Sequence, residues 1–349
     1  MDLTTHLYTT NLPSTAEQSP QLILSCPPVA MSNSSDAFWI GKNKTIAGLL
    51  AKGHGKKAFE AQHKILDASW SQAFNLLSPG GYLIVFAQRS SRKVSDRHSF
   101  FDNASRITYA CQKLGFNALP SIKWRKASKT PPHYMGSGML PAGAYVVSQY
   151  DDILIFRKGA QRTFDEVEQV RRSESALFCE ERNAWYLDLW SDVTYNLVDK
   201  YIKDFTTTTI PSELYIRLMA MYSIQGDHVL DLYGDNLLTT LAGGVLGRNT
   251  LSLCEESAED SLKVFSKRKL KSILNDRCAS RITDHMAYAK TKDGLLLRFK
   301  NQPLGVPVQT TQEKKIQNYV IQSIKSNGSE VSFKYRKWKK AELSEMITS

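Results

Sequence analysis

Gln21-Leu22-Ile23-Leu24-Ser25-Cys26-Pro27-Pro28-Val29 is the stretch around which this chain is organised. Three aliphatic residues in a row read as a short strand, buried on both faces. The two prolines, which lack an amide N–H, can neither extend a ladder nor enter a helix interior. The chain therefore leaves the strand stiffly extended, with Ser25 and Cys26 at its C-terminal end. In an open α/β sheet that end is where ligands bind.

Downstream, residues 31–61 are rich in Ser, Gly and Lys. From Ala58 to Leu77, apolar residues at Phe59, Ile65, Leu66, Trp70, Phe74 and Leu77 have helical spacing, and Ser78-Pro79-Gly80-Gly81 ends that helix in a tight turn. Tyr82 to Phe86 is then a second buried strand. A helix is expected over about 99–114, and Tyr150 to Gly159 is another strand, with an acidic pair before four apolar residues and Arg157-Lys158-Gly159 after them. Ile210-Pro211-Ser212-Glu213 opens a helix, with proline near its first turn. Asp227 to Leu232 is a strand that runs into a turn and a helix. Thr250 to Leu253 is the next strand, ending near Glu255.

With 349 residues, 42% hydrophobic, the chain can bury a full core. Its formal charge of +11 is segregated. Residues 89–130 hold 10 Lys/Arg against 2 Asp/Glu (+8), and residues 263–349 hold 19 against 7 (+12). Residues 160–262 between them hold 8 against 18 (−10). Two basic regions point either to a polyanion, nucleic acid first, or to a solvated lysine-rich surface. The candidate contacts are Arg89, Arg92, Lys93 and Arg97 beyond the second strand, then Trp124, Arg125 and Lys126, and finally Lys337, Trp338 and Lys339 in a tail where aromatics alternate with cations. Trp124 reads equally well as a tryptophan buried in a strand. Residues 303–312 look like a linker, so the last forty residues are expected as an appendage. The five cysteines have no CxxC or metal-ligand spacing, so reduced thiols, no metal site and a cytoplasmic setting are expected. No secretory leader is expected from the polar residues 1–20, and no apolar run in the sequence reaches membrane length.

A polar-Pro-Pro-aromatic segment at a strand end resembles the catalytic motif of DNA methyltransferases that modify the exocyclic amine of cytosine or adenine. The helix, Pro-Gly-Gly turn and strand at 58–86 resemble the same family, as does the Asp152-to-Gly159 strand, which looks cytosine-type. With the Pro-Pro motif first, a recognition segment next and a cofactor motif last, residues 5–265 resemble its permuted (β) group. The resemblance implies an α/β, Rossmann-like fold with a twisted, mostly parallel sheet and helices on both faces, to which the composition of the C-terminal residues adds a basic appendage. It divides the chain into 1–88 (catalytic half), 89–149 (recognition insertion), 150–265 (cofactor half) and 266–349 (basic extension).

Carried over residue by residue, the family's Ser or Asp acceptor falls on Cys26. Pro27 offers a carbonyl, Pro28 stiffens the turn, and Val29 stands where the family has a stacking aromatic. Ser25 could replace Cys26 only if the register slipped, and alternation would aim it at the other face of the sheet. The implied S-adenosylmethionine site comprises Asp231, Tyr233, Gly234, Asp235 and Asn236, where the family has a glycine-richer loop. Ile210 and Pro211 form its wall, Asn11 stands near the adenine, and Glu255 faces the ribose hydroxyls. Asn11 also reads as a turn residue, and Glu255 as a helix cap.

The residues thus support an S-adenosylmethionine-dependent amino-methyltransferase acting on a flipped base in DNA, with cytosine-N4 favoured over adenine-N6. They also fit a methyltransferase-fold protein without catalysis that binds DNA or pairs with an active subunit. An RNA methyltransferase is a third reading.

Overall fold

The computed structural model of the protein describes residues 3–9, 19–126, 135–136, 140–146, 148–205, 210–234, 237–254, 259–292 and 296–348. Ten strands form one sheet: β1 (Leu3–Thr9), β2 (Leu22–Ser25), β3 (Tyr82–Ala87), β4 (Phe116–Arg125), β5 (Tyr150–Lys158), β6 (Leu189–Trp190), β7 (His228–Asp231), β8 (Asn249–Leu253), β9 (Tyr319–Asn327) and β10 (Glu330–Lys337). Their order across the sheet is β6-β4-β5-β3-β2-β7-β8-β1-β10-β9. The central run β3-β2-β7-β8-β1 is parallel throughout. β5 and β10 run against their neighbours.

Helices cover both faces, and strand alternation assigns side chains between them. On β2, Leu22 and Leu24 enter the core layer shared with α3 (Ser212–Tyr222), α4 (Leu238–Leu246) and α5 (Arg268–Lys290). Ile23 enters the opposite layer, with Leu66 and Trp70 of α1 (Gly55–Leu76) and Ile107 of α2 (Asn103–Lys113). All four β2 residues are fully buried, which is why this strand carries no polar alternation.

Three expectations need correction. The helix anticipated from residue 99 begins at Asn103, because Ser90–Val94 and Arg97–Phe101 pair as an antiparallel hairpin and Asp102 caps the helix by accepting from Ser105 N at 3.1 Å. In the amphipathic 160–204 stretch, where Trp185, Leu187, Leu189 and Trp190 suggest a helix or helix pair, Leu189-Trp190 is instead the edge strand β6 beside β4. The C-terminal strands, expected as an appendage, continue the main sheet: β10 pairs with β1 from Leu3↔Lys334 to Leu7↔Glu330. Phe333 lies over Gly244 of α4 so closely that a Cβ there would sit 2.5 Å from the ring. Buried polar contacts reinforce this seam, with Tyr335 Oη donating to Gly244 O at 2.8 Å and lying 2.8 Å from Thr4 Oγ1.

His285 on α5 ties the 296–316 segment to the helix Cys179–Trp185. Its Nδ1 lies 2.8 Å from Glu180 Oε1 and its Nε2 lies 2.8 Å from the Pro307 carbonyl. Both partners accept, so both ring nitrogens must donate, which requires the imidazolium. Burial alone would lower its pKa, but the Glu180 and Pro307 bonds, with the charges of Glu180 and Glu313, hold it above the ordinary histidine value. Because the folded pKa is the higher one, this contribution is complete below the unfolded value of about 6.5 and is lost as pH rises through the folded pKa. Thermal melts should therefore show higher stability at pH 6 than at pH 9, by roughly 1.5–3 kcal/mol for one charge-assisted bond. His285→Gln should flatten that difference; an unchanged pH profile in the variant would rule the residue out as its source.

Candidate active site

The site lies where the parallel strands end. Asp231, last in β7, is opposite Leu24 of β2, and Leu232 N donates to Leu24 O at 3.1 Å. The Pro-Pro segment and the strand tip two hundred residues later therefore flank one crevice, at the switch point between strands whose connections leave in opposite directions. Thr9 and Cys254 close it on one side, where Cys254 N donates to Thr9 O at 2.9 Å. Asp151 and Asp152 close it on the other, because β5 runs in reverse and begins beside Ala87.

Cys26 and Ser25 face opposite layers. Cys26 packs against the α3/α4 side, while Ser25 is fully buried and its Oγ has no hydrogen-bond partner. Burial pushes the Cys26 thiol up to about 12; the Asp231 and Asp151 carboxylates add to the rise, and a Gln88 hydrogen bond and Lys126 oppose it. Cys26 is thus a neutral thiol at neutral pH. Among the described residues no protein donor takes the Pro27 carbonyl.

After the prolines the chain turns through Met31, a buried non-glycine residue at φ 61°. A left-handed conformation costs such a residue about 1–2 kcal/mol, and it is held from several sides. Gln62 Oε1 accepts from Met31 N at 2.8 Å, Ser90 Oγ donates to Met31 O at 2.7 Å, and Trp39 Nε1 donates to Val29 O at 3.2 Å. Asn103 Nδ2 donates both to Ala30 O at 3.3 Å and to Gln88 O at 3.0 Å, stapling the loops that follow β2 and β3. Its Oδ1 lies 2.9 Å from His63 Nε2. Burial lowers the His63 pKa to about 4, so the ring is neutral and donates from Nε2.

Asp231 is fully buried and organises the next turn. Its Oδ1 accepts from Tyr233 N at 3.1 Å and its Oδ2 accepts from Thr239 Oγ1 on α4. Tyr233 reaches away, its hydroxyl 3.1 Å from Ser69 Oγ on α1. Gly234 N donates to Leu253 O at 2.8 Å, and a Cβ on Gly234 would meet Ser252 Cβ at 2.5 Å. This glycine is needed for the turn to lie flat on β8. Ile210 and Pro211 are buried at the start of α3. Asn11, Asp235, Asn236 and Glu255 lie outside the described residues.

The basic candidates fare unevenly. Arg89 pairs with Asp152 at 3.0 Å and stacks on Tyr150 at 3.9 Å from the ring centroid. Arg92 makes a two-pronged pair with Asp36 at 2.7 and 2.8 Å, and Lys126 pairs with Asp151 at 2.6 Å. Arg125, Lys337 and Lys339 are exposed. Lys93 and Arg97 are on the hairpin, Lys93 facing the exposed Asp96 at 4.0 Å. Trp124 does not face a ligand: it is 3% exposed, inside the core, with Nε1 donating to Val193 O. Trp338 is half-buried against the cores next to α6 (Lys340–Thr348). Among the described residues, no group of His, Cys, Asp and Glu could hold a metal ion, and no helix is long and apolar enough to cross a membrane.

Gln62, His63, Gln88, Asn103 and Asp151 escaped the sequence reading. A signal was available for two of them: positions 62 and 63 are one turn from Phe59 and from Leu66, on the apolar face of α1, where polar residues require partners.

Residues 21–261 match the family of DNA methylases. The chain belongs to the N6/N4 DNA methylase family. This methylase is 32% identical to the Type II methyltransferase M.MthZI of Methanothermobacter thermautotrophicus over 327 residues, covering 92% of this chain and 91% of that one. It is 34% identical to the Type II methyltransferase M.MjaI of Methanocaldococcus jannaschii over 212 residues, covering 61% and 68%. In fold it is similar to a putative DNA modification methylase of Thermus thermophilus, solved in complex with S-adenosyl-L-methionine. The TM-score is 0.53 at 24% identity, over 77% of this chain and 88% of that one.

Proposed function

We propose that the chain transfers a methyl group from S-adenosylmethionine to the exocyclic amine of a base turned out of duplex DNA, and that the base is cytosine, methylated at N4. The juxtaposition of Cys26-Pro27 with Asp231 across adjacent parallel strands carries this reading. The Arg157-Lys158-Gly159 strand end and the absence of aspartate before the prolines favour cytosine.

The crevice suits the cofactor. A buried carboxylate at the tip of β7 holds the turn that leads into α4, and the helix N-terminus lies just beyond it. Asp231, Gly234, Ile210 and Pro211 would hold the cofactor, with Asp235, Asn236, Glu255 and Asn11 completing the set, while the side chain of Tyr233 is turned away toward Ser69. Bound there, it supplies an electrophilic methyl on sulfonium. The protein's own part is to bind and orient the amine. Pro27 O accepts one amino proton, which draws the nitrogen out of conjugation with the ring and exposes its lone pair. The Cys26 sulfur, neutral and a weak acceptor, faces the second proton. Asn103, Gln62 and Ser90 hold the Pro27 carbonyl in place by fixing the loop behind it.

A second reading, a DNA-binding methylase-fold partner of an active subunit, is favoured by one observation: the acceptor is a thiol that stays protonated. Transfer of labelled methyl to duplex DNA tests both. Wild-type protein should transfer above background. Cys26→Ser with Val29→Tyr should raise the rate roughly tenfold or more, since a base-aromatic stack alone contributes about 1–3 kcal/mol. Salt-dependent DNA binding with no transfer by either protein would leave the second reading standing.

A further inference from the structure

The lysine-rich stretch after the Pro-Pro loop has no place in the pocket. Residues 42–64 carry Lys42, Lys44, Lys52, Lys56, Lys57 and Lys64 against Glu60 alone, a net of +5 from 6 − 1. All six lysines are exposed. Glu60 is itself engaged by Arg106 at 3.0 Å. Among the described residues Lys56, Lys57 and Lys64 make no ion pair. With Asn43, Thr45 and Ile65 they line an open cleft of about 650 Å³ between the helix Thr45–Ala51 and the first half of α1.

The fold puts this cleft beside the pocket. Gln62, in the second turn of α1, reaches Met31, five residues past Cys26. Gly53 and Gly55 abut Ser95, Val94 and Phe101, so the lysines continue onto the hairpin that presents Lys93 and Arg97. By contrast, Arg89, Arg92, Lys123 and Lys126 are bound to Asp152, Asp36, Asp152 and Asp151. Among the described residues, the cations next to the site without a carboxylate partner are therefore Lys56, Lys57 and Lys64 on α1, with Arg97 on the hairpin and Arg125, which bonds the neutral Gln149.

We propose that this lysine cleft carries the phosphodiester backbone of duplex DNA flanking the target base, an assignment that rests on the DNA-methylase reading. Lysine ammonium groups without carboxylate partners can each neutralise a phosphate and release a condensed counterion, so their contribution appears in the salt dependence of binding. The Asn43 and Thr45 side chains add short polar groups of the kind that position a backbone without reading sequence.

The test is the slope of log affinity against log salt for the full chain on a duplex, compared with Lys56→Gln/Lys57→Gln/Lys64→Gln. The slope should become shallower by about 2–3, at about 0.9 per phosphate contact. Melting temperature and S-adenosylmethionine affinity should stay at wild-type values, since these side chains are exposed. An unchanged slope in the triple variant, with salt-dependent binding by wild type, would make the cleft a solvated face and overturn the proposal alone. A slope that moves instead with Lys337→Gln/Lys339→Gln would relocate the footprint to the C-terminal strand. Absence of duplex binding by wild type would overturn the DNA reading and the cleft with it.

Discussion

A chain ending at Asn318 should fail to fold, although sequence composition alone makes residues 319–349 look like a detachable basic tail. The cut removes β9 and β10, and with them the buried side chains of Val320, Ile321, Val331, Phe333 and Tyr335. At about 1.5–3 kcal/mol for each large buried apolar side chain, the loss is about 8–15 kcal/mol, as large as the whole stability of a typical domain. It also strips β1 of its antiparallel partner and uncovers Gly244, against which Phe333 is packed. Because β1 adjoins β8, and β8 adjoins β7, damage at this edge reaches the strand that bears Asp231. Circular dichroism and thermal melting of the truncated chain should show no cooperative transition. A melt within a few degrees of the full-length protein would mean that these strands contribute little.

Asn103→Ala should be the most damaging single change outside the pocket. It leaves the Ala30 and Gln88 carbonyls and the His63 N–H without their partner at once. Losing a buried partner costs about 1–3 kcal/mol per group, and partial rehydration limits the sum to about 2–4 kcal/mol. The catalytic consequence should be larger than that stability loss suggests. Ala30 and Gln88 follow the two strands on either side of the target pocket, so their separation displaces the Pro27 carbonyl. Where the enzymatic reading holds, kcat should fall by about a hundredfold, the penalty of roughly a 1 Å misplacement. The KM for DNA should move much less, because the lysine cleft and the hairpin are untouched. Asn103→Asp should not rescue, since it can no longer donate to two carbonyls. A KM effect larger than the kcat effect would place Asn103 in DNA binding rather than in loop positioning.

The legible part of the fold was the part dictated by local chemistry. β2, β3, β5 and β7 each announce themselves as an apolar run bounded by proline, glycine or charge, and a strand buried on both faces has no other way to look. The nearness of the strand tips that bear Cys26 and Asp231 followed from the order of motifs. What stayed hidden depends on tertiary partners. The sequence Lys123-Trp124-Arg125 is compatible with an aromatic facing solvent among cations, yet the pleat sends Trp124 inward while its neighbours find Asp152 and Gln149. β10 looks like a nucleic-acid tail because its lysines alternate with aromatics. The same alternation puts Val331, Phe333 and Tyr335 on one buried face. Asn103, behind a capping aspartate, gives no local sign that its side chain joins two loops.

The protonated state of Cys26 also matters for how long the protein would survive its own chemistry. Sulfur nucleophiles are readily alkylated by sulfonium compounds, and only the thiolate is reactive. With its pKa pushed up to about 12, Cys26 is the neutral thiol at pH 7. The burial that keeps this sulfur a protonated thiol, with the Asp231 and Asp151 carboxylates adding to it, thereby protects it from suicide alkylation, so prolonged incubation with S-adenosylmethionine should leave the intact mass of the chain unaltered.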